Sequence, residues 1–391
     1  VNAGILPPPA QYVTPPRSIG GAPARPVQTP GGIGESLDWR RPNWSVTQDA
    51  LYAGARASNW QFGTRVAAAT VTAVTDNYVG TILSPGGLVW ATPYAATGGL
   101  VFDSNNNTTS VVGSFGGTLN FTSGVLMPDG KVFVVPRSST TARIVDLVNK
   151  TVTTPAATFP GSNAFLGGTV CDGGRKIYLA PGGQRTTGGV YDIASQTFTT
   201  PAGTFSTGVQ GNTSAGAFLL PDNRVFVAPS YSTAAIYDPA SDRLTTSALS
   251  LGYNGSVIQY LGAVMLASGD EIALIPFNAT AITIYNWRRD TARTVTGTAT
   301  GFTGGQLCPD GSVFCVPATG TVARVYRPDT GTVSALPDTY SGSNPVAGAN
   351  VLPDGRLVMM PRSDSAVRTY GAKGSVTFDP HVTLSPYYNH R

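Results

Sequence analysis

Catalysis at neutral pH draws most often on histidine, glutamate and cysteine, and this 391-residue sequence holds few of them. Its two histidines, His381 and His390, stand at the C-terminal end, and its two glutamates are Glu35 and Glu271. A copper radical centre needs two imidazoles converging with tyrosine and cysteine, which those positions do not offer. A Cys–His or Ser–His nucleophile lacks its base for the same reason. Cys171, Cys308 and Cys315 are an odd set with no C-x-x-C spacing, so they specify neither a disulfide framework nor a zinc site. Cys171 and Cys308 fall where other copies of a repeat have Met127, Leu220 and Leu352, and Cys315 where they have Val134, Val227 and Met359, which reads as core packing.

Aspartate is the remaining candidate for acid–base or calcium chemistry. A retaining glycosidase sets two carboxyls about 5–5.5 Å apart. Yet Asp129, Asp172, Asp222, Asp310 and Asp354 recur at one place in the repeat, and Asp103, Asp146, Asp192 and Asp238 at another. Recurrence beside glycine and after proline is turn chemistry, because an aspartate side chain bonds its own backbone two or three residues on. The oxygen-rich stretches at Asp103 and Asp329 do not match the twelve-residue calcium loop. The expectation is therefore no catalytic residue, no metal, no cofactor and no enzyme.

The elements that would position any site come from a sevenfold repeat. Residues 126–136, 219–229, 307–317 and 351–361 read LMPDGKVFVVP, LLPDNRVFVAP, LCPDGSVFCVP and VLPDGRLVMMP, with weaker copies closing at Pro93, Pro181 and Pro276. The period is about 45 residues, the size of a four-stranded propeller blade. In each unit strand a runs into the Pro-Asp-Gly turn and strand b is the apolar run behind it. Strand c ends at a Tyr-Asp or similar pair, and strand d is Thr-rich. Strand b is apolar at consecutive positions, so both its faces need cover, whereas strand d alternates and suits an outer edge. With Gly 47, Pro 30 and 12% charged residues the chain reads as all-β. The prediction is a seven-bladed β-propeller over 66–391 preceded by an extended Pro-rich arm over 1–35. Both end copies hold four strands in this reading, with 66–75 or 381–386 as spare closing strands.

The arm carries Pro7, Pro8, Pro9, Pro15, Pro16, Pro23, Pro26 and Pro30 and too few large apolar groups to fold alone. Residues 36–65 form a docking or capping segment in which Trp39, Arg40, Arg41, Trp44 and Trp60 are candidate partner contacts, since Trp and Arg favour interface hot spots. The formal charge of +4 comes mostly from the first 65 residues, and lysine occurs only at 131, 150, 176 and 373. That pattern argues against nucleic acid as a partner. No apolar run reaches the roughly 20 residues of a membrane span, which argues against insertion.

In period and strand pattern residues 78–379 resemble kelch and WD-type propellers, although the kelch double glycine occurs only in pieces such as Gly167-Gly168 and Gly304-Gly305. The Pro-rich arm, low charge and Gly/Thr/Ser/Ala richness resemble virion proteins of tailed bacteriophages. That resemblance implies a non-enzymatic structural or adhesive protein of the virion. Its arm would dock onto other particle proteins, and its propeller would stand in multiple copies toward a host-surface glycan or protein. A cellular or extracellular lectin-like or protein-interaction propeller is the first alternative, and a carbohydrate-active propeller enzyme the second. The candidate binding rim is that of the b–c and d–a loops, with Tyr94, Arg137, Arg185, Tyr231, Phe277 and Arg362. The d–a aromatics Phe159, Phe205 and Phe302 recur in phase and are expected between blades.

Overall fold

The computed structural model describes residues 60–371 apart from 72–76, 118, 184, 206–213, 231–232, 250, 252–256, 267, 296, 298–299, 320–321 and 341–343. Among these residues the strands form seven antiparallel four-stranded sheets. Blade 1 is Tyr78–Leu83, Leu88–Pro93, Gly99–Asp103 and Thr108–Val112, in spatial order a, b, c, d. The a strands of successive blades contact one another around the whole ring, so a is innermost and d outermost. The repeated proline is the last residue of strand b in all seven blades, from Leu88–Pro93 to Leu357–Pro361. Strand b is buried along its length, as in Val132–Pro136, and strand d is not, as in Thr151–Thr153.

The Pro-Asp-Gly turn works through one left-handed residue. In blade 2 the Met127 N–H donates to the Lys131 carbonyl at 2.8 Å and the Gly130 N–H to the Met127 carbonyl at 2.9 Å, with Gly130 at φ 83°. Asn223 takes the same conformation in blade 4, one of the few residues besides glycine that tolerates it. Asp129, Asp222, Asp310 and Asp354 each accept the N–H two residues on. The c–d aspartates do the same, Asp146 accepting from Val148 and Asn149 and Asp192 from Ser195. The turn reading of the recurrent aspartates holds.

The interior follows the repeat. Phe159, Phe205 and Tyr340 are buried in d–a loops, Phe159 against rings of blades 2 and 3, whereas Phe302 is out of phase with them: it is the first residue of strand a, opposite Pro317, where other blades have Phe121 and Phe165. The three cysteines are buried and free, and burial pushes the Cys171 and Cys315 thiols up to about 12. Near the axis the a strands approach so closely that a Cβ on Gly262, at φ 98°, would stand 2.9 Å from the Gly304 Cα.

Ring closure differs from expectation. The last blade holds Val346–Val351, Leu357–Pro361 and Ala366–Tyr370, and its outer strand is Arg65–Thr70 from the other end of the propeller sequence. We label this strand β1. It pairs antiparallel with Ala366–Tyr370, from Arg65 opposite Tyr370 to Thr70 opposite Ala366. The last copy therefore does not supply all four of its own strands, and of the two spare segments the N-terminal one closes the ring. Residues 381–386 lie outside the described region.

Trp60 is also placed otherwise than as a docking residue. It is buried, its indole N–H donates to the Gly355 carbonyl at 2.7 Å, and its ring meets Phe62 at 4.9 Å. Phe62 in turn packs on Phe314 and Tyr370. The pair fills the seam between blades 6 and 7, so its apolar surface is already spent within the propeller. Trp39, Arg40, Arg41 and Trp44 lie outside the described residues.

Candidate functional site: the rim of the b–c loops

Among the described residues the b–c loops of blades 1, 2, 3, 5, 6 and 7 each bond one carbonyl, that of the residue just before strand a. In blade 1 the N–H groups of Tyr94, Ala95 and Ala96 all point at the Asn77 carbonyl, at 2.8, 3.2 and 3.3 Å. In blade 2 those of Arg137, Ser138 and Ser139 point at Asn120, and in blade 5 those of Phe277, Asn278 and Ala279 at Gln259. The carbonyl of the first loop residue then accepts an N–H from the next blade: Tyr94 from Leu119, Arg137 from Ala164, Phe277 from Gly301, and Arg362 from Asn77 across the closure. The residue after the closing proline is thereby held at both its backbone groups, and its side chain leaves the rim from a fixed position.

That arrangement brings three of the predicted rim residues together. The Arg137 guanidinium donates through Nη1 to the Tyr94 hydroxyl at 3.0 Å, and its carbon lies 5.7 Å from the Tyr94 ring centre. The Arg362 guanidinium lies 5.3 Å from the same ring. Three consecutive blades, 7, 1 and 2, thus contribute Arg, Tyr and Arg to one half-buried cluster. The geometry is that of a cation–π pair on a shared aromatic, each contact worth about 0.5–1 kcal/mol at an exposed site. Arg185 stands apart over Phe165 at 5.5 Å, and burial pulls its pKa down from the ordinary value. Phe277 is half-buried in blade 5, away from the cluster, and Tyr231 lies outside the described residues.

Two members escape a reading based on the repeat. Asn163 receives the Arg137 Nε–H through its side-chain oxygen. Arg143, at the start of strand c in blade 2, lies 5.9 Å from the Phe121 ring and donates to the Thr141 hydroxyl at 2.7 Å and the Ala142 carbonyl at 3.0 Å. Both positions recur in part, Arg143 as Arg324 and Arg368 at the same register of strand c and Asn163 as Asn344 two residues before strand a, but not in every blade.

The loop charges are divided between the two rims. The b–c and d–a loops carry Arg137, Arg185 and Arg362 against Asp76 and Asp364, and Arg368 binds Asp364 through two bonds of 2.5 and 3.0 Å. The remaining loop aspartates of the described residues sit in a–b and c–d turns on the opposite rim, many beside a lysine or arginine of the same turn or, for Asp270 and Arg288, of the neighbouring turn. Among the described residues no cluster of histidine, cysteine, aspartate and glutamate is arranged to hold a metal ion.

No family profile matches the chain, and no curated protein matches it. Solved structures do. A streptogramin B lyase shares 12% identity over 79% of this chain and 97% of its own, with a TM-score of 0.63. A catalytically inactive histidine-to-alanine variant of virginiamycin B lyase from Staphylococcus aureus, solved with quinupristin, shares 10% over 79% and 98%, with a TM-score of 0.65. The extracellular domain of a one-component system from B. thetaiotaomicron shares 12% over 79% of this chain and 40% of its own, with a TM-score of 0.61. At these identities the likeness is one of fold. None of the three is described as a kelch or virion protein. The expectation that the protein is no enzyme is overturned by this finding, since solved structures with this fold include lyases.

Proposed function

We propose that the protein is a two-sided recognition platform in a multi-copy assembly. Its b–c loop rim faces the surface to be recognised, and the segment before Trp60 attaches the propeller from the other side. One observation carries this reading. Trp60 and Gly371, the first and last described residues, both sit at the a–b turn of blade 7, Trp60 bonded to Gly355 and Gly371 within 4 Å of a Cβ built on Gly63. Trp60 and Gly371 therefore lie at the rim opposite Tyr94, Arg137 and Arg362. The proline-rich sequence of 1–35 supports attachment by an extended arm, and with the low charge of the chain it supports a tailed-phage virion as the assembly.

The test compares the full chain with residues 60–391. Light scattering should show the full chain assembling into multimers, or joining the particle proteins of its source, while 60–391 stays monomeric. Binding to host-surface polysaccharide should be equal for the two, and products of the incubation read by mass spectrometry show whether binding leads to turnover. Identical assembly by both chains would sink the arm's role, and loss of polysaccharide binding with the arm would sink the two-sided arrangement.

A further inference from the structure

The rim cluster has a chemistry that selects among ligands. Arg137 and Arg143 both belong to blade 2 and flank the start of one strand. The Arg137 N–H bonds the Asn120 carbonyl at 2.7 Å, and the Arg143 guanidinium lies by the ring of the next residue, Phe121. Their side-chain hydrogen bonds go to neutral acceptors: the Tyr94 hydroxyl and Asn163 amide oxygen for Arg137, the Thr141 hydroxyl and Ala142 carbonyl for Arg143. On the opposite rim the pattern is different, and Arg224, Arg288 and Arg356 each meet a carboxylate within 2.7 Å. A guanidinium is a planar fork that fits a carboxylate through two parallel bonds, and one held by neutral partners keeps its charge for an incoming anion. Between Arg137 and Arg143 the loop offers Ser138 and Thr140, both exposed hydroxyl side chains suited to sugar hydroxyls.

We propose that this site binds a carboxylate-bearing saccharide, the acid seated between Arg137 and Arg143 and the ring hydroxyls on the 138–141 loop. The proposal rests on the reading of this rim as the recognition face. Two features favour a saccharide over a simple inorganic anion: each cation lies against an aromatic ring, Arg137 by Tyr94 and Arg143 by Phe121, and neutral hydroxyl donors lie interleaved with them. The site asks for a single acid with polar surroundings.

The experiment titrates the full-length protein calorimetrically with glucuronic-acid-containing oligosaccharides and with the same oligosaccharides after their carboxyls are reduced to alcohols. Inorganic phosphate is a third ligand. Binding of the acidic form should weaken at least about tenfold on carboxyl reduction, and by about the same factor in Arg137→Ala, the loss expected when a charge-assisted bond is removed. Arg137→Lys should recover part of it, and Arg175→Ala on the opposite rim should change nothing. Melting temperatures of the variants equal to wild type keep a folding defect from imitating the result. Equal affinity for acidic and reduced oligosaccharides, with Arg137→Ala weakening both, would overturn the acid specificity and leave the rim as the recognition face. Phosphate displacing the oligosaccharide at equal concentration would overturn the saccharide in favour of a general anion site. Binding of either oligosaccharide unaffected by Arg137→Ala and Arg143→Ala together would overturn both the site and the choice of rim.

Discussion

At Arg356 one guanidinium serves two blades. Its Nε and Nη2 bind Asp354 in its own turn at 2.9 and 2.7 Å, while Nη1 reaches the Asn107 side chain at 2.9 Å and Nη2 the Ser104 carbonyl at 2.6 Å in blade 1. The side chain is 5% exposed, so its removal leaves the buried Ser104 carbonyl in blade 1 without this donor and Asp354, itself 22% exposed, without its cation. Breaking a buried charged pair costs about 3–5 kcal/mol. Arg356→Ala should therefore destabilise the protein by about 3 kcal/mol, read from denaturant melts, with Arg356→Lys falling between. A midpoint unchanged in the alanine variant would show that the ring closes without this contact. In the sequence Arg356 merely follows a Pro-Asp-Gly turn, as Lys131 and Ser312 do, and its neighbour in blade 1 is 249 positions away. Tyr94, Arg137 and Arg362 were legible as rim residues because each follows a closing proline. Their convergence was not, since it depends on which blades stand side by side at the closure.

Strand β1 shows where a repeat-based reading stops. Seven periods, the order a to d and the buried character of strand b could all be read from copies that resemble one another. The sequence of β1, RVAAAT, resembles none of them, and alanine has little strand preference to announce it. It becomes a strand because Ala366–Tyr370 would otherwise be left as an edge with unpaired backbone groups. Trp60 and Phe62 anchor it, and each large aromatic in a core contributes about 3–5 kcal/mol against truncation to alanine. A chain starting at residue 60 should melt cooperatively like the full protein by circular dichroism. A chain starting at residue 71 should lose the cooperative transition and scatter light, through the newly exposed edge. Equal melting of the two would mean that the ring holds with blade 7 three-stranded.

At the scale of the whole molecule the recurrent aspartates gather in the a–b and c–d turns of one rim, many of them paired with a lysine or arginine. The turn carboxylates tie stability to acid. The Ser195 N–H and hydroxyl hold Asp192 below its ordinary value, and the Ser241 hydroxyl and Ala240 N–H do the same to Asp238. A carboxyl whose folded pKa is depressed adds stability fully present above its unfolded value near 3.8, and this is lost as the pH falls through the lower folded value. The melting temperature should be flat from about pH 5 to 8 and fall below about pH 4. The double variant Asp192→Asn and Asp238→Asn should start less stable at neutral pH and fall less steeply, and a drop as steep as wild type would place the acid sensitivity elsewhere. The closure described above also sets a load path. The chain enters β1 at Arg65, opposite Tyr370, so tension from the N-terminal side draws β1 lengthwise past Ala366–Tyr370. Its ladder bonds are then strained together in shear rather than peeled one at a time, and Trp60 and Phe62 take the pull before any of them.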